Sequence, residues 1–495
     1  MIDPNLRSGD EFSQWDTPLL AALQSSGNRP HAPFYVPGHK RGRGISSQLS
    51  HLLGNAVFRY DLPELPEFGN LLPPEGVMKA AQDLAANAFG ADETWFLANG
   101  STAGVMGAIL ATCGDGDQII LPRNVHQSAI AGLILSGAIP IFIHPVYDPE
   151  FDLAYTIAVK DLEGAIAQHP EAKAILITSP TYQGVCADIK AIAEIAHSYH
   201  IPLIVDAAHG AHFGFHCEFP PSPLTLGADV VIQSLHKTLG ALTQASLLHL
   251  QGKRVSATAL TSALQCLQSS SPSHLLLASL DAARQQVATE GKDLLERAFG
   301  LAQRAKARIE KISELALFSP VCPQSGCYAL DPTRITIDIS RLGLTGFAAD
   351  EILHEQLGVT AELPTAKTLT FVITFGNTER DIEALGEGLN ALIEQTTAET
   401  ISQLPISSLP PLAPCISPRQ AFFAAKEVLP LSATVGKISA ELVCPYPPGI
   451  PVLMPGERIT REALAYLEQV LKLGSLVSIT GWSDPSFKQL QVMKE

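Results

Sequence analysis

Over residues 71–250 the sequence repeats one pattern: a short β-rich apolar run, a small or polar cluster, then a helical stretch. The runs are "TWFLANGSTAG" (94–104), "QIILPRNVH" (118–126), "IPIFIHPVY" (139–147), "AILITSPTY" (174–182), "IPLIVDAAHG" (201–210) and "DVVIQSLHK" (229–237). Helical patterning falls between them, over 103–112, 127–136 and 186–200. Strand and helix in alternation leave few solutions, and predict an α/β fold with a mostly parallel sheet covered on both faces. Ligands of such sheets bind beyond the carboxyl ends of the strands. The polar clusters quoted above fall at those ends.

The rest of the chain reads as smaller pieces. A helical stretch over 275–312 leads to a region with two strand-like runs, "RITIDIS" and "LTFVITF", and two helical ones, 346–357 and 379–395. That is an α+β small domain. The proline-rich "SQLPISSLPPLAPCISP" (402–418) reads as a linker. The expected division is an N-terminal segment (1–70), a large domain (71–300), the small domain (301–400), the linker (401–418) and a C-terminal domain (419–495).

Charge and cysteine usage narrow the partners. Thirty-three basic residues against forty-nine acidic ones leave a net charge of −16. This argues against nucleic acid or an anionic membrane surface, and favours a cationic small substrate. No apolar run approaches the roughly 18 residues of a membrane span, and the first residues lack a signal-peptide core. The eight cysteines include no CxxC pair and no metal spacing with histidine. The expectation is a cytoplasmic protein in a reducing compartment, with no bound metal.

Lys237 and Asp206 are the two anomalies. "SLHKTLGAL" (234–242) puts a lysine just past the apolar Val230-Val231-Ile232, and "LIVDAAHG" puts a carboxylate at the end of another apolar strand. Taken alone, Lys237 is more simply a lysine that ends a strand with its stem packed. Asp206 taken alone is a helix cap or a metal ligand. Together, about one βαβ step apart, they offer one ligand an amine and an acid. Pyridoxal phosphate requires that pair, a lysine for its aldehyde and an acid for its ring nitrogen. "ANGSTAG" (98–104) opens a helix directly after a strand, with backbone N–H groups suited to a phosphate. Ser234 and His236 add donors beside Lys237. His126, in "RNVHQSAIAG", stands at another strand end, where an imidazole can stack on a cofactor ring or serve structure alone.

At these residues the chain resembles a known family. "PGHKRG" (37–42), "FRYDLPELPEFGNLLPPEGV" (58–77), "NGSTAG" (99–104), "VDAAHGAH" (205–212), "SLHKTLGALTQ" (234–244), "SPSHLLLASLD" (271–281) and "YPPGIPVLMPGE" (446–457) look like the bacterial Orn/Lys/Arg decarboxylases. The resemblance runs over nearly the whole chain. It implies the aspartate-aminotransferase-like fold (fold type I), pyridoxal 5'-phosphate as cofactor, and a basic amino acid as substrate. It implies a homodimer or higher homo-oligomer, and a short form without the N-terminal wing domain of larger relatives. By it Lys237 is the Schiff-base lysine, Asp206 pairs with the pyridine nitrogen and His126 stacks on the ring. Ser101 and Thr102, with Ser234 and His236, match phosphate-binding positions, and His209 matches a histidine beside the cofactor. Ser271 matches a position reaching the phosphate from the partner subunit, and Glu441 an acidic residue near the substrate side chain. His236 or Lys237 would return a proton to Cα. Two departures stand out: Gln127 replaces a lysine common in relatives, and "VTAELPTAKTLTFVITFGNT" follows the family only loosely.

Other chemistry remains open at this level. Another pyridoxal-phosphate reaction, transamination or a lyase step, is the alternative; aminotransferases of this fold clamp the α-carboxylate with a small-lobe arginine, for which Arg334 and Arg380 are the candidates, though neither stands in such a motif. A non-catalytic homologue would need neither the lysine, the aspartate nor the phosphate loop. "HGAHFGFH" (209–216) has three closely spaced histidines but no zincin pattern.

Overall fold

The computed structural model describes residues 12–396, 415–446, 451–471, 478–480, 484 and 488–494. The proline-rich stretch up to position 414 and residues 447–450 of the "YPPGIPVLMPGE" motif lie outside them. In chain order the principal elements are α1 (Pro18–Asn28), α2 (Gly76–Phe89), β1 (Glu93–Leu97), α3 (Gly100–Thr112), β2 (Gln118–Pro122), α4 (Gln127–Ser136), β3 (Ile139–Ile143), β4 (Ala174–Thr178), α5 (Ile189–Ser198), β5 (Leu203–Asp206), β6 (Val230–Ser234), β7 (Ser246–Leu250), α6 (Ala257–Leu267) and α7 (His274–Ile309). They continue with β8 (Arg334–Asp338), α8 (Gly346–Gln356), β9 (Thr368–Val372), α9 (Glu379–Gln395), α10 (Pro418–Phe423), β10 (Lys426–Pro430), α11 (Arg461–Leu471) and β11 (Gln489–Met493).

The chain divides into two compact units that are discontinuous in sequence. The first comprises 1–111, 204–217 and 221–295; the second 112–203, 218–220 and 296–495.

In the first unit β1, β7, β6 and β5 lie side by side. The β5 and β6 pair is parallel, while β7 runs antiparallel to both β6 and β1. Their runs Ile204-Val205 and Val230-Val231-Ile232 are fully buried, which is why they read as continuous apolar stretches rather than alternating ones. Helix α3 packs hard on this sheet. A Cβ on Gly104 would stand 2.7 Å from Leu97 Cδ1 and 2.9 Å from Ile232 Cγ2, so only glycine permits the approach. Gly107 plays the same part toward Leu264 of α6, at 2.9 Å.

Two features depart from the reading of the sequence. Strand β7 is an antiparallel member that the strand-and-loop pattern missed. The connection from Asp206 to β6, residues 207–229, is a run of turns without a helix, so the acid and the lysine are not joined by a βαβ unit.

Helix α1 is pinned at both ends. Asp281 Oδ2 accepts from the N–H groups of Leu19 and Leu20 at 2.9 and 3.3 Å. At the other end Arg41 donates to the carbonyls of Ser26, Gly27 and Arg29, the orphan acceptors of a helix C-terminus. Both anchors belong to motifs quoted above, "SPSHLLLASLD" and "PGHKRG".

In the second unit β4, β2 and β3 form a parallel set. A separate four-stranded antiparallel sheet contains β8 and β9. Its core joins Ile335, Ile337, Leu369 and Phe371 to Leu353 of α8 and Leu389 of α9. The C-terminal portion pairs β10 with β11 and buries Leu464 and Leu467 of α11 with Leu490 and Val492. Within this unit Arg123, just past β2, donates to Glu457 Oε2 at 3.0 Å and to the Val452 carbonyl at 2.9 Å. No described helix is long and apolar enough to cross a membrane.

Candidate functional site

Parallel pairing sets β5 and β6 in register, with Asp206 opposite Ile232. The chain leaves β6 at Ser234 and turns at once into a one-turn helix, Leu235–Thr238. That turn carries His236 and Lys237 at the carboxyl end of the strand. Lys237 Nζ lies 3.0 Å from His209 Nε2, so the lysine and a histidine three residues past Asp206 share a hydrogen bond. Asp206 is 7% exposed and its Oδ1 accepts from the N–H of Ala208 at 3.2 Å. A carboxylate removed from water to that degree needs donors or a cation around it.

The neighbouring side chains are fixed in the same unit. His236 Nδ1 donates to the carbonyl of Ala245 at 3.1 Å, so Nδ1 carries a proton. Ser234 is wholly buried, with Ser246 Oγ at 3.4 Å. Ser101 and Thr102 stand in the opening turn of α3, where Gly100 takes a left-handed φ of +74°. Among the described residues their hydroxyls have no side-chain hydrogen-bond partner. The loop before that turn is tied down by Gln244, which donates to the Ala98 carbonyl at 2.7 Å, and by Gln268, which accepts from the Ala98 N–H at 2.6 Å. Asn99 accepts from the Ser269 N–H at 3.3 Å, and Ser269 Oγ lies 3.4 Å from Ser271 Oγ. The exposed Ser271 is thus linked through Ser269 to the phosphate-type loop of its own chain.

A buried polar relay supports this site, and the sequence reading missed it. Thr94 Oγ1 lies 2.7 Å from His249 Nδ1, His249 Nε2 lies 3.1 Å from Gln233 Oε1, and Gln233 Nε2 donates to the Gly210 carbonyl at 3.1 Å. Gln233 Oε1 can only accept, so His249 Nε2 carries the proton and Nδ1 accepts from Thr94. Burial pushes the His249 imidazole down to about 3, which keeps it neutral and consistent with that tautomer. The relay ends on the residue after His209. Its signal was a lone polar residue inside each of two apolar strands, "VVIQS" and "SLLHL".

His126 and Glu441 belong to the second unit. His126 caps α4, accepting from the Ser128 N–H through Nδ1 at 3.2 Å. Glu441 is 6% exposed, and one of its oxygens accepts from the Gln491 N–H at 2.5 Å. Of the two candidate carboxylate-binding arginines, Arg334 is buried with Asp331, 3.4 Å from its Nε, and Arg380 is exposed on α9. Among the described residues no three His, Cys, Asp or Glu side chains are grouped to hold a metal ion.

Comparison with known proteins decides the family. The major domain of the Orn/Lys/Arg decarboxylases matches residues 17–381, and their C-terminal domain matches 402–477. The chain belongs to the Orn/Lys/Arg decarboxylase family. It is 39% identical to an arginine decarboxylase of Bacillus subtilis (strain 168) over 487 residues, which covers 98% of this chain and 99% of that protein. It is 38% identical to an arginine decarboxylase of Bacillus anthracis, covering 98% of each. The crystal structure of a lysine decarboxylase from Francisella novicida superposes with a TM-score of 0.83 at 21% identity, covering 97% of this chain and 81% of that one. The α/β fold-type-I architecture and the decarboxylase class follow.

Family membership gives the N-terminal motifs a physical reading. In the decarboxylase motif "PGHKRG", His39 accepts from the Gly42 N–H through Nδ1 at 3.0 Å, so its Nε2 donates to Asp61 at 3.0 Å. Asp61 belongs to the next motif, "FRYDLPEL". Lys40 and Arg41 both adopt left-handed φ values, +50° and +62°. That conformation is unusual for side chains of their size, and it aims Arg41 at the end of α1.

Proposed function

We propose that this chain releases carbon dioxide from a basic amino acid, with arginine as its preferred substrate and pyridoxal 5'-phosphate as its cofactor. The observation that carries the reading is the amine of Lys237, held against His209 one turn past a strand end whose parallel neighbour ends in Asp206. Pyridoxal phosphate asks a protein for an amine, an acid for its ring nitrogen and donors for its phosphate. The residues fit each need. Lys237 supplies the amine, and Asp206 is a buried carboxylate at the adjacent strand end. Ser101 and Thr102 offer hydroxyls at a helix N-terminus, where N–H groups and the dipole favour an anion.

When bound, the cofactor supplies the electron sink that loss of carbon dioxide requires. The chain's own groups do the rest. His209 orients the Lys237 amine. Asp206 holds a proton on the ring nitrogen. His236 is fixed at the end of β6 beside Lys237, with Nδ1 donating to the Ala245 carbonyl. The His236 imidazole and Lys237 Nζ are the two groups assigned to the proton that replaces the carboxylate. Ser234 and His236 are assigned to the phosphate, with Ser271 reaching it from the partner subunit. His126 is assigned to the ring face and Glu441 to the substrate side chain.

Arginine is favoured by the names of the relatives at 38–39% identity, and a basic substrate by the acidic net charge of −16. A homodimer is the proposed assembly. Phe34, Val36, Leu52 and Trp15 of the first unit are 94, 66, 77 and 70% exposed, apolar side chains that a second copy could cover. The domain division read from the sequence and a cytoplasmic location are part of the same proposal. The test is direct. Purified protein with the cofactor is given arginine, lysine and ornithine in turn, and carbon dioxide and the amine product are measured. Agmatine from arginine is expected to form fastest; no carbon dioxide from any of the three refutes the reading.

A further inference from the structure

Away from the candidate site, the second unit holds a cysteine pair that decarboxylation does not use. Cys322 and Cys327 flank a tight turn, "CPQSGC", and their sulfurs lie 2.8 Å apart. That is longer than the roughly 2.05 Å of a disulfide but closer than two sulfurs approach by packing alone. The turn is locked before any bond forms. Gln324 and Cys327 exchange both backbone hydrogen bonds, at 2.8 and 3.0 Å. The Gly326 carbonyl accepts from both the N–H and the hydroxyl of Thr156, at 3.0 and 2.7 Å. The following strand, Ala329–Leu330, pairs with Val185–Cys186. The turn is therefore the end of a strap laid along residues 184–186.

We infer that Cys322 and Cys327 are a reversible redox pair, oxidised to a disulfide by a low-molecular-weight disulfide and reopened by thiols. The Cys322 thiolate attacks one sulfur of the oxidant and expels the first small thiol. Cys327 then attacks the mixed disulfide at Cys322 and expels the second. Two protons and two electrons leave the protein and reduce one oxidant disulfide to two thiols. The order follows from exposure: Cys322 is partly exposed, whereas Cys327 is fully buried among Phe151, Tyr155, Val185 and Phe318. Burial and the adjacent Cys322 also push the Cys327 thiol up, which rules it out as the first nucleophile; the second step is intramolecular and is favoured by the 2.8 Å approach of the two sulfurs. Cys186 packs nearby, but its sulfur faces the Gly184 carbonyl at 3.5 Å.

The test uses the full chain, equilibrated with oxidised glutathione, quenched in acid and alkylated without reduction. Trypsin releases residues 312–334, which carry both cysteines and no other. The expected peptide is two hydrogens lighter than the dithiol and carries no alkyl label; dithiothreitol restores two labels. Cys186 is expected to keep its label throughout. In Cys327→Ser the first step has no successor, so glutathione should remain on Cys322. Two labels on the wild-type peptide after oxidation, or a bond from Cys186 to either cysteine, would overturn the assignment.

Discussion

Replacing Asp281 by alanine strips the anchor from α1, and the structure sets the scale of the loss. Asp281 and Arg284 are both fully buried, with Arg284 Nη2 donating to Asp281 Oδ1 at 2.5 Å. Arg284 also donates to the Gln14 and Asp16 carbonyls, at 2.9 and 2.6 Å. Removing one partner of a buried ion pair leaves an uncompensated charge, which costs about 3–5 kcal/mol. The N–H groups of Leu19 and Leu20 lose their acceptor too, though helix N–H groups can turn to water when the segment loosens. Undocking α1 chiefly exposes Leu19 and Leu23, at about 1.5–3 kcal/mol each. The two costs are comparable, so residues 12–28 should open locally while the rest of the unit stays folded. Hydrogen exchange reads this directly. At about 1.4 kcal/mol per tenfold, protection of α1 should fall roughly 100- to 1000-fold, with little change in β5 and β6. Pairing Asp281→Ala with Arg284→Met removes the stranded charge and should recover part of the protection. If α1 in Asp281→Ala exchanges within threefold of wild type, the pair does not hold the N-terminal segment and the reasoning fails.

Four further substitutions have defined outcomes. Lys237→Ala should abolish carbon dioxide release and the visible absorption of the bound cofactor, and Asp206→Asn should retain cofactor while losing at least about 100-fold in rate; wild-type turnover in either would remove that residue from its role. His249 is held neutral by burial, its value pushed down to about 3, so the unfolded chain binds the extra proton first. Stability from this group is complete above about pH 6.5 and is lost as pH falls, by about 2 kcal/mol at pH 5. His249→Gln should therefore show a shallower drop in urea midpoint between pH 7.5 and 5 than wild type, and equal drops would contradict the relay. Glu457→Gln leaves Arg123, only 2% exposed, without its charge partner, and should lower stability by about 3 kcal/mol or more, read as earlier proteolysis of the C-terminal portion; unchanged nicking would count against that tie.

How much of the fold could be read in advance depended on whether a segment's pattern was local. Helix α4 was expected over 127–136 and lies at Gln127–Ser136, because its capping residue, apolar run and terminal glycine are contiguous. Helix α9 matched over 379–395 for the same reason, with Thr378 and Asp381 forming a capping box. Strand β7 was missed because "SLLHL" carries a histidine and follows the strand of Lys237 closely, which reads as a loop after a site. Its identity as a strand is settled by partners: it pairs Thr94 with His249 and Ser234 with Ser246 across two neighbours. The absent helix between Asp206 and β6 is the complementary error. Spacing alone counted 31 residues as a crossover, but "GFHCEFPPSPLTLGAD" (214–229) is rich in proline and turn formers, and these favour turns over a helix.

The candidate site was legible where physical chemistry made a residue conspicuous, and hidden where it made one comfortable. Asp206 and Lys237 stood out because a charge at the end of an apolar strand is costly unless something answers it. Gln233 and His249 stood out far less, since each satisfies the other and neither needs a ligand to account for it. Yet both act at the site through the same backbone, because Gln233 holds the Gly210 carbonyl and the preceding residue holds the Lys237 amine. The contact between Thr94 and His249 spans 155 residues of sequence, and only the pairing of β1 with β7 creates it. A group that answers a charge can be inferred from the charge. A group that fixes the backbone beneath it is visible only once the strands are in register, and the loop bearing His209, which has no helix to stiffen it, is where such support has the most to do.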